Sequence, residues 1–196
     1  MRHERAQRKT QKTLVFWFVS VLVVLAVCSL IVVAPVTAAS GHTDIAKGIY
    51  GAFAIFCHQL PERSYFIDNH QLAVCSRCTG IYAGFALTLL LYPLIRSLRT
   101  PVMPRPSWLL LAALPLAIDF AVNFVGFWQN THTSRLLTGA ILGGAVVFYV
   151  MPGIIDLSLR YPRTPPAIEP RTTFTLASPE RIASAPSDYS APERRI

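Results

Sequence analysis

LVFWFVSVLVVLAVCSLIVVAPVT, residues 14–37, runs for 24 positions without a charged side chain. About 20 apolar residues in a helix suffice to cross the hydrocarbon of a bilayer. The run is therefore long enough to span, and it sets the class of fold: a helical membrane protein. Composition agrees, with 53% hydrophobic and 14% charged residues and a mean hydropathy of +0.44. A soluble domain carries about a quarter charged residues.

Upstream, residues 1–13 hold five Lys/Arg against one Glu, which reads as a basic cytoplasmic N-terminus. A basic start, an apolar middle and Val36-Thr37-Ala38 also fit a cleaved signal peptide. Signal h-regions are only about 7–15 residues long, which favours an uncleaved anchor. Cys28, inside the run, reads as a small hydrophobe.

Downstream, residues 38–56 are too short and too interrupted to span, and are expected to form an interfacial or re-entrant helix. Three further apolar runs follow, at about 78–95, 107–127 and 136–155. Between the first two stands a basic, proline-broken loop with Arg96, Arg99 and Arg105. The link WQNTHTSR separates the last two, with Trp128 at the expected interfacial level. Residues 156–196 are rich in Pro, Ser, Thr and Arg and are expected to be a disordered cytoplasmic tail. The expected architecture is all-α: a membrane bundle of four transmembrane helices with a short extracytoplasmic Cys/His segment.

Charge sets the expected orientation. With the N-terminus inside, fourteen of the eighteen Lys/Arg fall on the cytoplasmic side. Lysine and arginine concentrate on that side, so both termini are expected there, in a bacterial cytoplasmic membrane. The formal charge of +8 does not point to nucleic acid, because the cations flank apolar runs instead of forming a stripe.

Two spans share a pattern. Arg77-Cys78-Thr79-Gly80 continues to Gly84, and Arg135-Leu136-Leu137-Thr138-Gly139 continues to Gly143. Glycines four apart let helix backbones approach closely. The second and fourth spans are expected to pack on each other or on the third.

The segment CHQLPERSYFIDNHQLAVCSRCTGIY, residues 57–82, gathers three of the four cysteines and two of the five histidines. CHQLPERSY, CSRCTGIYAG, an intramembrane Asp119 and SRLLTG together resemble the DUF2085 family of predicted membrane proteins. The matching positions are Cys57, His58, Gln59, Arg63, Ser64, Cys75, Arg77, Cys78, Thr79, Gly80, Tyr82, Gly84, Asp119, Arg135, Thr138 and Gly139. The resemblance covers roughly residues 50–150 and implies a multi-pass membrane protein with no assigned activity. One departure is that Thr133-Ser134 stands where the family pattern leads us to expect an Asn ahead of the Arg.

Three chemistries fit the cluster. Cys75 and Cys78 have the spacing that grips one ion, and Cys57 adds a third sulfur. His58 or His70 could supply a nitrogen, His70 more easily, which suits tetrahedral zinc. A c-type haem is disfavoured, since Thr79 occupies the position that needs His. Alternatively Cys75 and Cys78, at a helix N-terminus beside Arg77, are redox thiols with Cys57 as partner. They would then pass electrons to a membrane quinone, by analogy with membrane thiol oxidoreductases. Thirdly, Cys57 forms a structural disulfide with Cys75 or Cys78.

Asp119 costs about 2.5–3.5 kcal/mol at a span centre. It is expected to face the bundle interior and pair with Arg77 or Arg135, aided by Thr79, Tyr82 or Thr138, as an ion pair or as a relay. Gln59, Arg63 and Arg77 are further candidate contacts. Glu62-Arg63 reads as a solvated pair and His132 as a surface residue. A transporter reading has little behind it, since four spans are few and no inverted repeat is visible.

Overall fold

A computed structural model of the protein describes residues 2–98, 102–127 and 129–160. Its α-helices are α1 (Arg2–Ala39), α2 (Thr43–Ala54), α3 (Ser76–Ile95), α4 (Pro106–Phe124) and α5 (His132–Arg160). A two-residue hairpin, β1 (Phe66–Ile67) and β2 (His70–Gln71), lies between α2 and α3. Helices α1, α3, α4 and α5 each contain a stretch long and apolar enough to cross a membrane. In lipid every backbone N–H and C=O needs a partner within the chain, and a helix supplies it inside one segment.

The elements differ in extent from the sequence expectation. The basic residues before Leu14 form the first turns of α1 and no separate segment. At twelve residues α2 is too short to span, as expected. The link before the fourth span is already helical from His132, and residues 156–160, expected in the tail, continue α5. Trp128, Arg99 and residues 161–196 lie outside the described residues.

Hydroxyl groups in α1 are satisfied locally. Ser20, Ser29 and Thr37 donate to carbonyls four residues back, at 2.8, 2.8 and 2.9 Å, so they add little cost in an apolar helix. Two prolines do more than interrupt a helix. Pro35 has no N–H for the carbonyl of Ile31. That carbonyl instead accepts the N–H of Ala73 at 3.4 Å, tying the segment before α3 to α1. Pro93 likewise frees the carbonyl of Leu89, which accepts the indole N–H of Trp17 at 2.9 Å.

The glycine pattern is the seam between α3 and α5. A Cβ at Gly80 would stand 2.1 Å from the Leu136 carbonyl oxygen, and one at Gly84 2.2 Å from that of Ala140. Reciprocally, a Cβ at Gly139 or Gly143 would stand 2.3 or 2.1 Å from the carbonyl oxygen of Arg77 or Ile81. The two backbones touch, as the paired glycines predict. Helix α4 packs on α5 and has no buried residue.

One apolar cluster joins Val21, Leu89, Tyr92, Val147, Met151 and Ile155 of α1, α3 and α5. A second lies under the segment between α2 and α3 and holds Ile31, Ala34, Phe53, Cys57, Leu72, Ala73 and Val74. The cysteines sit at this second end.

Candidate functional site: three thiols at one end of the bundle

Cys57 lies three residues past the end of α2, with its N–H bonded to the Phe53 carbonyl at 3.0 Å. Cys75 is the N-cap of α3, and Cys78 lies three residues on, on the same side of the first turn. The chain closes the gap between them with a clamp built on Gln59. This residue holds a positive φ of 50°, unusual for a side chain of its size. Its amide donates to the carbonyls of Tyr50 at 2.7 Å and Ala73 at 2.8 Å, and its own carbonyl accepts from Gln71 at 3.1 Å. The Tyr50 hydroxyl donates to the Gln71 carbonyl. Asp68 and Asn69, at φ 47° and 63°, make the hairpin turn that returns the chain. Gln59 is thus a structural residue of the site.

The result is a cluster in which the Sγ atoms of Cys57, Cys75 and Cys78 all lie within 4.8 Å of one another. Cys57 is 5% exposed and accepts the Cys75 backbone N–H at 3.2 Å. All four cysteines are free thiols in this structure. Among the described residues neither expected histidine joins the cluster. His70 is turned along the hairpin, with Nδ1 2.8 Å from the Asp68 carbonyl. His58 lines the adjoining cavity. The Cys75 thiol is drawn down to about 5, chiefly by hydrogen bonding from the Cys78 thiol. The Cys78 and Arg77 backbone N–H groups at the start of α3 and the Cys57 thiol add to this, against the opposing effect of burial. Cys28 stands apart, its thiol 3.8 Å from the Tyr82 carbonyl.

Ser76 fixes α3 in place. Its hydroxyl is fully buried and donates to the Arg63 carbonyl at 2.9 Å. That leaves His132 Nδ1–H as the donor to it at 2.7 Å. The His132 ring also lies 5.4 Å from that of Tyr65. His132 is at the surface, as expected, yet it joins α5 to both neighbouring elements.

Asp119 pairs with Arg77 and not Arg135, Oδ2 to Nη2 at 2.6 Å, with the carboxylate side chain 9% exposed. The Arg77 guanidinium sits 5.9 Å from the centre of the Phe120 ring. The helper is neither Thr79, Tyr82 nor Thr138. Thr79 and Thr138 donate to helix carbonyls of their own turns, at 3.1 and 2.9 Å. Tyr82 packs edge-on against Phe53. The partner is Asn130, whose amide reaches the Asp119 carbonyl at 2.6 Å and Oδ2 at 2.7 Å. Thr133-Ser134 stands ahead of Arg135, and the amide at Asp119 comes instead from Asn130, five residues before that arginine. Its sequence signal was a polar Asn in the link between a span that carries Asp119 and an arginine, Arg135, that opens the next. Glu62 and Arg63 form the exposed pair expected, at 3.7 Å.

A cavity of about 370 Å³ opens over the thiols. Besides the three cysteines and His58, its wall includes Arg63, Arg77, Asn123 and Arg135, with Phe56, Ile81 and Phe120 as apolar surface.

Fold and site together define a small multi-pass helical membrane protein with a three-thiol centre at one end of its bundle. The chain belongs to the DUF2085 family, described as predicted membrane proteins, whose profile matches residues 57–149. An uncharacterised protein of Methanocaldococcus jannaschii is 36% identical over 132 residues, covering 65% of this chain and 85% of its own. Another, of Methanothermobacter thermautotrophicus, is 37% identical over 108 residues, covering 53% of this chain and 93% of its own. Both are archaeal, which leaves the expected bacterial origin unsupported. No solved structure matches the chain.

Proposed function

We propose that this membrane protein binds one soft divalent ion, zinc by its ligand chemistry, on the thiolates of Cys57, Cys75 and Cys78. One observation carries the reading: three sulfurs lie within 4.8 Å of one another. Zn–S bonds of about 2.3 Å at tetrahedral angles set bound sulfurs about 3.8 Å apart, so small shifts suffice. A disulfide joins two sulfurs at about 2.05 Å and would leave the third unused. With three protein ligands the fourth position faces the cavity, open to water or to His58. Such an ion would act as a Lewis acid toward whatever enters there. The Lys/Arg asymmetry supports both termini in the cytoplasm and the thiols on the opposite face of the cytoplasmic membrane.

The test is metal analysis of protein purified in detergent, with thiols counted before and after chelation. The expected result is about one zinc per chain, lost in Cys57→Ser, Cys75→Ser and Cys78→Ser and kept in Cys28→Ser. Protein that carries a disulfide and no metal overturns the reading.

A thiol oxidoreductase is the second reading, favoured by the Cys75 thiol drawn down to about 5. Oxidation of the Cys75/Cys78 dithiol would form one S–S bond and release two electrons and two protons, reducing a quinone to quinol. Cys57 would then be the exchange thiol. A reversible disulfide and quinone reduction in the metal-free protein would favour this reading over zinc.

A further inference from the structure

We propose that the cavity over the thiols is a binding site for a small organic oxyanion, recognised by Arg135. Three arginines from three elements line it: Arg63 of the turn at Pro61–Arg63, Arg77 of α3 and Arg135 of α5. The positive end of α3 opens at the same place. Compensating carboxylates are few. Asp119 is committed to Arg77 and Asn130, and Glu62 pairs with Arg63 at the exposed rim. Arg135 is half-buried, and among the described residues its guanidinium makes no hydrogen bond or ion pair. Arg77 Nε is buried without a hydrogen-bond partner among the described residues.

Leaving such donors desolvated and unpaired is costly. A planar fork of N–H groups matches the oxygens of a carboxylate or phosphate. Phe56, Ile81 and Phe120 supply an apolar wall for a short carbon body. The volume, about 370 Å³, equals about a dozen waters at ~30 Å³ each, which is room for a small ligand. The proposal uses the same cavity as the metal reading but does not need the ion.

The probes are iodoacetate and iodoacetamide, applied to reduced, chelator-treated full-length protein in neutral detergent. The reagents deliver the same carbon to sulfur and differ in charge, so their rate ratio cancels the thiolate fraction. Alkylation is read at Cys57, Cys75 and Cys78 by mass spectrometry, with glutathione as the reference. The expected iodoacetate-to-iodoacetamide ratio exceeds that of glutathione by about tenfold, the scale of electrostatic focusing in a charged cleft. Arg135→Gln removes most of the excess, and Arg63→Gln, a second variant at the rim, lowers it in part. Arg96→Gln, at the far end of α3, leaves it unchanged. Competition by acetate or by phosphate at matched ionic strength tells a carboxylate site from a phosphate site. A wild-type ratio at or below that of glutathione overturns the proposal, as does an Arg135→Gln variant that slows both reagents equally. Should Arg135→Gln not fold, the wild-type ratio and Arg63→Gln decide. Zinc content of untreated protein reports on the metal reading alone, so either reading can fail without the other.

Discussion

Replacing Gly84 with alanine tests the architecture that positions the site. The added methyl would stand 2.2 Å from the Ala140 carbonyl oxygen and 2.7 Å from its Cα. A carbon meets a carbonyl oxygen at about 3.3–3.6 Å when the contact is unstrained. The obstacle is backbone, so no rotamer relieves it, and α3 and α5 must part by about 1 Å. Overpacking of this kind costs about 1–3 kcal/mol, and we expect the upper end because the whole seam opens. For a chain of this size about 3 kcal/mol corresponds to a loss of roughly 6–12 °C in Tm. Gly153→Ala is the control, since no neighbour among the described residues lies within 4 Å of its added carbon, and it should match the wild type or gain slightly. The assay is thermal unfolding of both variants in one detergent, followed by tryptophan fluorescence, with Trp17 bonded across to α3. A Gly84→Ala protein melting with Gly153→Ala, within a degree of wild type, would refute the contact between the two backbones.

Further outcomes follow from the ion pair and the thiols. Asp119→Ala strands the Arg77 guanidinium, and breaking such a pair should cost about 3–5 kcal/mol, whereas Asp119→Leu with Arg77→Met should recover much of the loss; a double variant no more stable than the single one contradicts the pairing. Asn130→Ala removes one hydrogen bond to the Asp119 carboxylate and one to its backbone carbonyl and should destabilise by about 1.5–3 kcal/mol, the range for a bond to a charged group, measured in the same melts. The Cys75 thiol is lowered from 9.0 to about 5 on folding, so its stabilising contribution is full above pH 9 and is lost as pH falls through about 5. In metal-free protein its alkylation by iodoacetamide should therefore persist to about pH 5 and shift upward in Cys78→Ala, which removes the main hydrogen bond. A midpoint near 9 in the wild type would contradict that bond.

Local chemistry made much of the molecule legible in advance. Apolar runs long enough to span had to be helices, because only a helix satisfies its backbone within one segment of lipid. Glycines four apart at matching depths in two spans marked the contact between them, since the spacing places both on one face. Cys75 and Cys78 were bound to be neighbours for the same reason. An acid inside a span required a partner, and arginine was the available one.

Contacts between distant residues were not written locally. The sequence offered His70 as a ligand and left Arg77 and Arg135 equal as partners of Asp119. The hairpin turned His70 onto its own Asp68 carbonyl. The crossing of α3, α4 and α5 brought Arg77 to the carboxylate and left Arg135 in the cavity wall. Asn130 reached the same acid from a link that carried no periodic signal. Cys57 met its two partners because Gln59, held at a positive φ, joins α2 to the segment before α3. Periodicity fixes which residues share a face of one helix. Which faces and loops then meet depends on packing between segments far apart in the chain, and that geometry exists only once the bundle has formed.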